Sequence, residues 1–183
     1  MKLTIFGATG RTGRPLLQQA LESGHEVTVL VRSPEKLAME SKNLKVVQGD
    51  ISDAAKVDEA IAGSEAVISV LGPTSNEPVF TISQGTKNII TSMDSHGLKR
   101  LILSAGAGVA DPNDEPKLIN KVIGFLVRTF SGNVYEDMVR TVDVVRNSDL
   151  DWTIVRVPML TEDPAKGEIK VAYVGKGMGS RIT

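Results

Sequence analysis

The strongest constraint on the fold is a glycine-rich turn near the start of the chain. The apolar run at 2–6 leads directly into FGATGRTGR, residues 6–14, in which Gly7, Gly10 and Gly13 are spaced three apart. Glycines between a strand and a helix allow a tight turn and a close approach of the backbone to a pyrophosphate, which would meet the positive end of the helix. The spacing is G-x-x-G-x-x-G rather than G-x-G-x-x-G, so the turn alone also fits a purely structural connection.

After this turn, short β-branched runs alternate with longer stretches of helical period. This alternation predicts strand–helix–strand units and a doubly wound parallel α/β sheet within a single domain, and apolar runs such as VTVLV at 27–31 suit strands covered on both faces. The predicted strands are Lys2–Phe6, Glu26–Val31, Leu44–Gln48, Ala66–Leu71, Arg100–Ser104 and Trp152–Arg156. The predicted helices are Arg11–Ser23, Pro34–Met39, Asp53–Ala62, Val79–His96, Lys117–Phe130 and Val134–Asn147.

Composition excludes several classes of function. A net charge of −1 provides no long-range field for nucleic acid or for an anionic membrane, so we expect neither as a partner. The absence of cysteine excludes disulfides, thiolate chemistry and cysteine zinc sites, and we expect a cytoplasmic protein without a metal. His25 and His96 precede predicted strands, at the amino edge of the sheet, so we expect neither to be catalytic.

The residues after the second predicted strand indicate which dinucleotide is bound. NAD-binding folds usually place an acid here to hold the ribose hydroxyls, whereas this chain has Arg32, followed by Ser33 and Lys36. A guanidinium can bind a 2′-phosphate through paired charge-assisted hydrogen bonds, which favours NADP(H). Ser33 before Pro34 is equally suited to capping a helix, so both roles remain open for its hydroxyl.

Four spaced motifs resemble one group of proteins. They are GATGRTG at 7–13, VLVRSPEKL at 29–37, VVQGDISD at 46–53 and SDLDWTIVRVPML at 148–160. Together they resemble the atypical short-chain dehydrogenase/reductases with NAD(P)H-binding Rossmann domains, NmrA-like proteins among them, and in particular the flavin reductase (biliverdin reductase B) type. The resemblance implies one Rossmann domain over residues 1–183, strand order 3-2-1-4-5-6, and a substrate cleft formed by loops and helices after strands 4 to 6. Relatives continue into a closing helix, so we expect the C-terminal helix to be missing.

The resemblance also implies a set of cofactor contacts. Carried over position by position, these are Gly7, Thr9, Gly10, Arg11, Thr12, Gly13, Arg32, Ser33, Asp50, Ile51, Leu71, Gly72, Val157 and Pro158. The first six would hold the pyrophosphate, the next two the 2′-phosphate, and Asp50 and Ile51 the adenine. Leu71 and Gly72 would lie beneath the ribose, and Val157 and Pro158 would face the nicotinamide. From its residue type alone, Asp50 could equally begin the next helix.

Two departures from the family pattern limit the reactions that we expect of this chain. The larger family protonates a carbonyl with a tyrosine followed four positions later by a lysine, but here Tyr135 is followed by Val139 and Tyr173 by Gly177. After the fifth strand the chain reads LSAGAG, which leaves Ser104 as the candidate catalytic and cofactor-binding hydroxyl, able to orient a carboxamide or a substrate. The alternative is a hydroxyl bonded to neighbouring backbone.

These features predict an NADPH-dependent reductase of a flavin, a quinone or a similar flat conjugated acceptor. Such acceptors accept hydride with little help from protein acids, because they delocalise charge and can take a proton from water. The alternative is a binding protein that senses the NADP(H) redox state without catalysis. The expected partner is a small-molecule acceptor, with monomer or homodimer undecided.

One predicted helix is more apolar than a single buried stripe requires. Residues 117–130, KLINKVIGFLVRTF, carry eight large apolar side chains. The segment therefore either caps the cleft, contacts a partner, or is a helix buried on two sides.

Overall fold

The computed structural model describes residues 1–37, 39–73, 75–161, 167, 169–177 and, as backbone, 181–182. Within them, six parallel strands form a sheet in the order β3-β2-β1-β4-β5-β6, which confirms the predicted doubly wound topology. The strands are β1 Lys2–Phe6, β2 Glu26–Val31, β3 Leu44–Gln48, β4 Ala66–Ser69, β5 Arg100–Gly106 and β6 Asp151–Val157. Two short strands, β7 Met159–Leu160 and β8 Arg181–Ile182, pair separately in parallel.

Helices lie between the strands and cover the sheet. They are α1 Gly13–Glu22, α2 Ala54–Ile61, α3 Thr81–Ser95, α4 Leu118–Phe130 and α5 Gly132–Arg146, with a 3₁₀ turn at Pro34–Lys36. Successive residues of a strand face opposite sides, so β1 contributes Leu3 and Ile5 to one core and Phe6 to the other. The first core includes Leu17 of α1, and the second includes residues of α2, α3 and α5. No helix among the described residues is both long and apolar enough to cross a bilayer.

Several predicted boundaries were wrong by a few residues. β4 ends at Ser69 instead of Leu71, because its last partner on β1 is Phe6, after which the chain enters the glycine turn. β5 continues to Gly106 instead of Ser104, because β6 pairs with it that far. α3 begins at Thr81 instead of Val79, since Phe80 has a left-handed conformation with φ 47°.

Helix α4 has the predicted extent but not the burial of a core helix. None of its side chains is buried, although it packs against α5. The interpretation of this segment as a helix buried on two sides was therefore wrong. A local apolar pattern shows that a segment can be buried, but the neighbouring elements decide whether it is.

A buried ion pair ties the loop after β5 to the edge strand β6. Asp114 and Arg156 form a bidentate pair at 2.6 and 2.7 Å, and each side chain is only 10% exposed. Arg156 also donates to the Val109 carbonyl, and the Asp114 carboxylate accepts from the backbone N–H groups of Asp111 and Val174. The hydrogen bond from Arg156 is the main reason that the pKa of Asp114 lies below its ordinary value of 3.8.

We expect Asp114→Asn to lower the free energy of unfolding by about 3 kcal/mol near neutral pH, because it leaves the largely buried Arg156 without its counter-charge. Since the pKa of Asp114 is depressed on folding, the pair stabilises the protein above pH 3.8 and stops doing so as the pH falls through the lower folded-state pKa. Urea unfolding of both proteins should therefore show a difference that shrinks as the pH falls below 3.8. Asp149→Asn, at an exposed position, is the control, and a difference independent of pH would contradict the prediction.

Candidate active site

The glycine turn brings three backbone segments together more closely than side chains would allow. Gly7 has φ 87°, and a Cβ at this position would lie 2.9 Å from the Val70 carbonyl carbon at the end of β4. A Cβ on Gly13, the first residue of α1, would overlap the Gly7 carbonyl oxygen and lie 2.7 Å from the Ala8 Cα. Thr12 makes no side-chain cap for α1. The turn therefore presents a helix N-terminus without a capping side chain at the carboxyl edge of the sheet, where a phosphate can approach.

Two adjoining cavities open along this edge. The first is lined by Gly7, Thr9, Arg32, Asp50 and Ile51, which follow β1, β2 and β3. The second is lined by Thr12, Ser104, Met138, Val157 and Leu160. Both share the walls formed by Leu71, Gly72, Pro73, Ile82, Val134 and Asp137. The cleft thus runs from the end of β3 to the end of β6, across the point where the strand order reverses.

Most of the predicted site residues line these cavities. Gly7, Thr9, Arg32, Asp50 and Ile51 line the first; Thr12, Ser104 and Val157 line the second; Leu71 and Gly72 line both. The remaining predicted residues, Gly10, Arg11, Gly13, Ser33 and Pro158, are next to lining residues in the chain but do not themselves line either cavity. Gly10 and Gly13 contact the turn itself, since Gly10 N donates to the Gly7 carbonyl at 3.0 Å and Gly13 packs against the same carbonyl.

Arg32 lies at the rim of the first cavity beside Asp50. Its Nε is 3.9 Å from Asp50 Oδ2, and the two side chains are 68% and 37% exposed, so the pair is loose and hydrated. Asp50 accepts hydrogen bonds from the hydroxyl and backbone N–H of Ser52, at 2.7 and 2.9 Å. The Ser52 hydroxyl is the main reason that the pKa of Asp50 is lowered, and the charge of Arg32 lowers it further. Asp50 is therefore a carboxylate at neutral pH.

The structure also shows whether Asp50 and Ser33 cap the helical segments that follow them. The residue that caps α2 is Asp53, whose carboxylate accepts from Ala55 N and Lys56 N at 3.0 and 3.2 Å. The alternative in which Asp50 begins the helix is therefore wrong. Ser33 precedes the 3₁₀ turn but makes no side-chain cap, so its hydroxyl is not engaged there.

A buried carboxylate, Asp137, lies in the wall shared by the two cavities. It is 6% exposed, and its two oxygens accept from the backbone N–H groups of Ile82 and Ser83 at 3.0 and 2.9 Å. Asp137 on α5 thus caps the N-terminus of α3, which Phe80 cannot cap itself. Sequence reasoning missed this residue, although Asp137 falls on the stripe of α5 that also carries the buried Thr141 and Val145. An acid on a buried stripe was the available signal.

The second cavity contains Ser104 in a half-buried position. Within the described part of the chain its hydroxyl has no hydrogen-bond partner, so the backbone-bonded alternative is not observed. The end of β5 contacts α5 nearby, where Gly106 N lies 3.1 Å from the sulfur of Met138. His96 is paired with Asp58 at 3.0 Å and lines neither cavity, nor does His25. The described residues contain no cluster of three groups that could hold a metal ion.

Comparison with known proteins agrees with this geometry. A family model described as NAD(P)H-binding matches residues 7–183. The oxidoreductase aflX of Aspergillus parasiticus is 29% identical over 185 residues, which cover 91% of this chain and 68% of that protein. The chain spans between 62% and 68% of the length of three curated relatives, of which aflX is one.

Two solved structures share the fold. ChuY, an anaerobillin reductase from Escherichia coli O157:H7, superposes with a TM-score of 0.75 at 20% identity, covering 91% of this chain and 77% of that one. A short-chain dehydrogenase/reductase from Veillonella parvula in complex with NADP gives a TM-score of 0.71 at 20% identity, covering 89% and 71%. At 20% identity, the likeness to these two structures shows a shared fold and no more.

We expect Asp137→Ala to lower the free energy of unfolding by about 2 to 3 kcal/mol, because two backbone N–H groups of α3 lose a charged acceptor. Asp137→Asn retains one acceptor oxygen and should lose less. Urea unfolding measures both variants against Asp143→Ala, which removes an exposed carboxylate from the same helix and should change stability by less than about 0.5 kcal/mol. Equal stabilities for Asp137→Ala and Asp143→Ala would show that the cap is unimportant.

Proposed function

The chain belongs to the NAD(P)H-binding family, and from this premise we propose that it is an NADPH-dependent reductase of a flavin, a quinone or a similarly flat conjugated acceptor. The family and the oxidoreductase relatives support a reductase that acts on a small molecule. The choice of acceptor and of NADPH is argued from the cleft.

The observation that carries the proposal is the chemistry of the second cavity. Among the described residues that line it, Asp137 is the only one with an acidic or basic side chain. Both of its oxygens accept hydrogen bonds from backbone N–H groups at the start of α3, so this carboxyl group is engaged in capping that helix. Reduction of a simple ketone needs a positioned acid, whereas a flavin or quinone can take its proton from water. A cavity whose one acidic or basic side chain among the described residues serves as a helix cap therefore favours conjugated acceptors.

The cofactor would lie along the cleft in one direction. We place its adenosine end in the first cavity beside Asp50 and Ile51, and its pyrophosphate over the glycine turn, where Gly7 and Gly13 leave no side chain in the way. Its nicotinamide would lie in the second cavity between Ser104 and Val157. When bound, NADPH supplies a hydride from C4; together with one proton from water this reduces the acceptor by two electrons and leaves NADP⁺.

Arg32 is the reason to propose NADPH over NADH. Its guanidinium is at the rim of the first cavity, and its contact with Asp50 at 3.9 Å is loose enough for a phosphate to compete for it. The Ser33 hydroxyl beside it is not engaged in a cap. Both groups could then bind a 2′-phosphate, which NADH lacks. The Veillonella parvula protein of the same fold was crystallised with NADP.

We expect Arg32→Ala to weaken NADPH binding about 10-fold to 100-fold while NADH binding changes less than about twofold, because only NADPH presents a phosphate to the guanidinium. Isothermal titration calorimetry with both cofactors measures the two losses. The matched control is Lys42→Ala, which removes an exposed cation from the loop before β3, at the amino edge of the sheet. Equal losses for the two cofactors would show that Arg32 does not read the phosphate.

The reductase activity itself is tested by NADPH oxidation with FMN, riboflavin and a soluble quinone. We expect turnover with at least one of them, and a kcat that changes little between about pH 6 and 9, because in this proposal the proton comes from water rather than from a side chain. Unconjugated ketones should react far more slowly. Tight NADPH binding without turnover above the free-cofactor background would overturn the proposal and favour the redox-sensing alternative.

A further inference from the structure

Helix α4 presents an unusually large apolar surface to solvent. Its exposed side chains are Leu118, Ile119, Val122, Ile123, Phe125, Leu126, Val127 and Phe130. Leu118, Phe125 and Phe130 are 78%, 68% and 75% exposed. Soluble proteins rarely leave such a contiguous apolar patch uncovered, so the patch indicates an interaction surface.

The charges of this helix all have one sign. Residues 117–130 include Lys117, Lys121 and Arg128 but neither aspartate nor glutamate. At 100° per residue, Lys121 and Arg128 fall on the same narrow strip of the helix, together with Asn120 and Gly124, and the large apolar side chains occupy the remaining arc. The helix is therefore amphipathic, with a cationic polar strip.

The acids that precede the helix do not neutralise it. Asp111 pairs with Arg146 at 2.8 Å, Asp114 with Arg156, and Glu115 with Lys176 at 3.0 Å. The Arg128 guanidinium lies 5.0 Å from the centre of the Tyr135 ring, a contact that keeps its positive charge. The positive charge of α4 is thus not cancelled by these neighbouring residues.

We propose that α4 docks the protein on an anionic lipid surface. An amphipathic helix with cations on its polar side lies in the plane of the interface, with its apolar arc among the acyl chains and its cations among the headgroups. With 13 residues the helix is too short to span a bilayer but long enough to lie on one. A second copy of α4 is a poorer occupant, because it would cover the apolar arc but would offer no counter-charge to the cationic strip, whereas an anionic lipid surface offers both.

This inference departs from the expectation of no membrane partner, which rested on the net charge of the whole chain. The net charge of −1 averages over the surface, whereas a lipid headgroup meets only the local charge within a Debye length. The proposal is independent of the reductase activity, since no residue of α4 lines either cavity.

Hydrogen bonds connect the end of helix α4 to the rim of the first cavity. Its last carbonyl, of Phe130, accepts from the Asn76 side chain at 3.4 Å, and Asn76 Oδ1 accepts from Val134 N at 3.2 Å at the start of α5. Asn76 lies between Ser75 and Glu77, which line the first cavity. Docking through α4 would therefore hold the rim of the cleft close to the lipid surface.

Sedimentation of the full chain with vesicles tests the proposal. We expect the protein to bind vesicles of phosphatidylcholine with about 30% phosphatidylglycerol and to bind phosphatidylcholine alone at least about tenfold more weakly, with added salt reducing the difference. Lys117→Ala/Lys121→Ala should reduce binding about tenfold or more, whereas Lys42→Ala/Lys45→Ala, which removes two cations from a different surface, should not.

The apolar contribution is tested with a second pair of variants. Ile119→Ser/Phe125→Ser should abolish binding, whereas Ile169→Ser/Val171→Ser, which removes two exposed apolar side chains outside α4, should retain it. All variants should bind NADPH as the parent chain does, which reports that they are folded. Equal binding to both vesicle compositions, or binding unaffected by the α4 variants, would overturn the proposal. The absence of binding to the anionic vesicles would overturn it as well, and a dimer that Ile119→Ser/Phe125→Ser dissociates would then identify a second copy as the occupant.

Discussion

The cleft depends on a backbone contact in which no side chain has room. Gly7 turns against the Val70 carbonyl, and Gly13 begins α1 directly over the Gly7 carbonyl. Because β1 and β4 are neighbours at the point where the strand order reverses, this contact brings a turn, a strand end and a helix start to one place. Both cavities begin there, since Gly7 lines the first and Thr12 lines the second. Any Cβ at these glycines would separate elements that the cleft requires to be in contact.

Away from the glycine turn, charged groups as well as apolar contacts hold the elements around the cleft together. Asp137 joins α5 to the start of α3, and the pair of Asp114 and Arg156 joins the loop after β5 to the edge strand. The role of Asp137 also bears on the chemistry, because it is the carboxylate that the described residues contribute to the second cavity, and it serves as a cap. The same hydrogen bonds that fix the wall thus engage this carboxylate, and this is the observation on which we base the proposal of a conjugated acceptor.

Much of the fold was predictable because its signals are local. Apolar runs marked all six strands of the main sheet, and the glycine turn placed α1 and the ligand edge. The errors arose where a neighbour decides the outcome. β4 ends at Ser69 because its partner strand ends. The helix predicted over Pro34–Met39 was wrong too, since a 3₁₀ turn over Pro34–Lys36 is found there among the described residues. The cap of α2 is Asp53 rather than Asp50, because the Asp50 side chain bonds Ser52.

By itself, the sequence determined the strand–helix alternation, the glycine turn between β1 and α1, membership of an NAD(P)H-binding family and the cation that follows β2. These follow from the order of neighbouring residues, which sets backbone conformation and hydrophobic period directly. Only the tertiary structure decided that Asp137 caps a helix 55 residues earlier in the chain, that Arg32 meets Asp50, and that α4 is left exposed. Those outcomes depend on which distant segments pack together. The neighbouring segments set the free energy of a buried carboxylate or of an uncovered apolar helix, and the residues next to it in the chain do not.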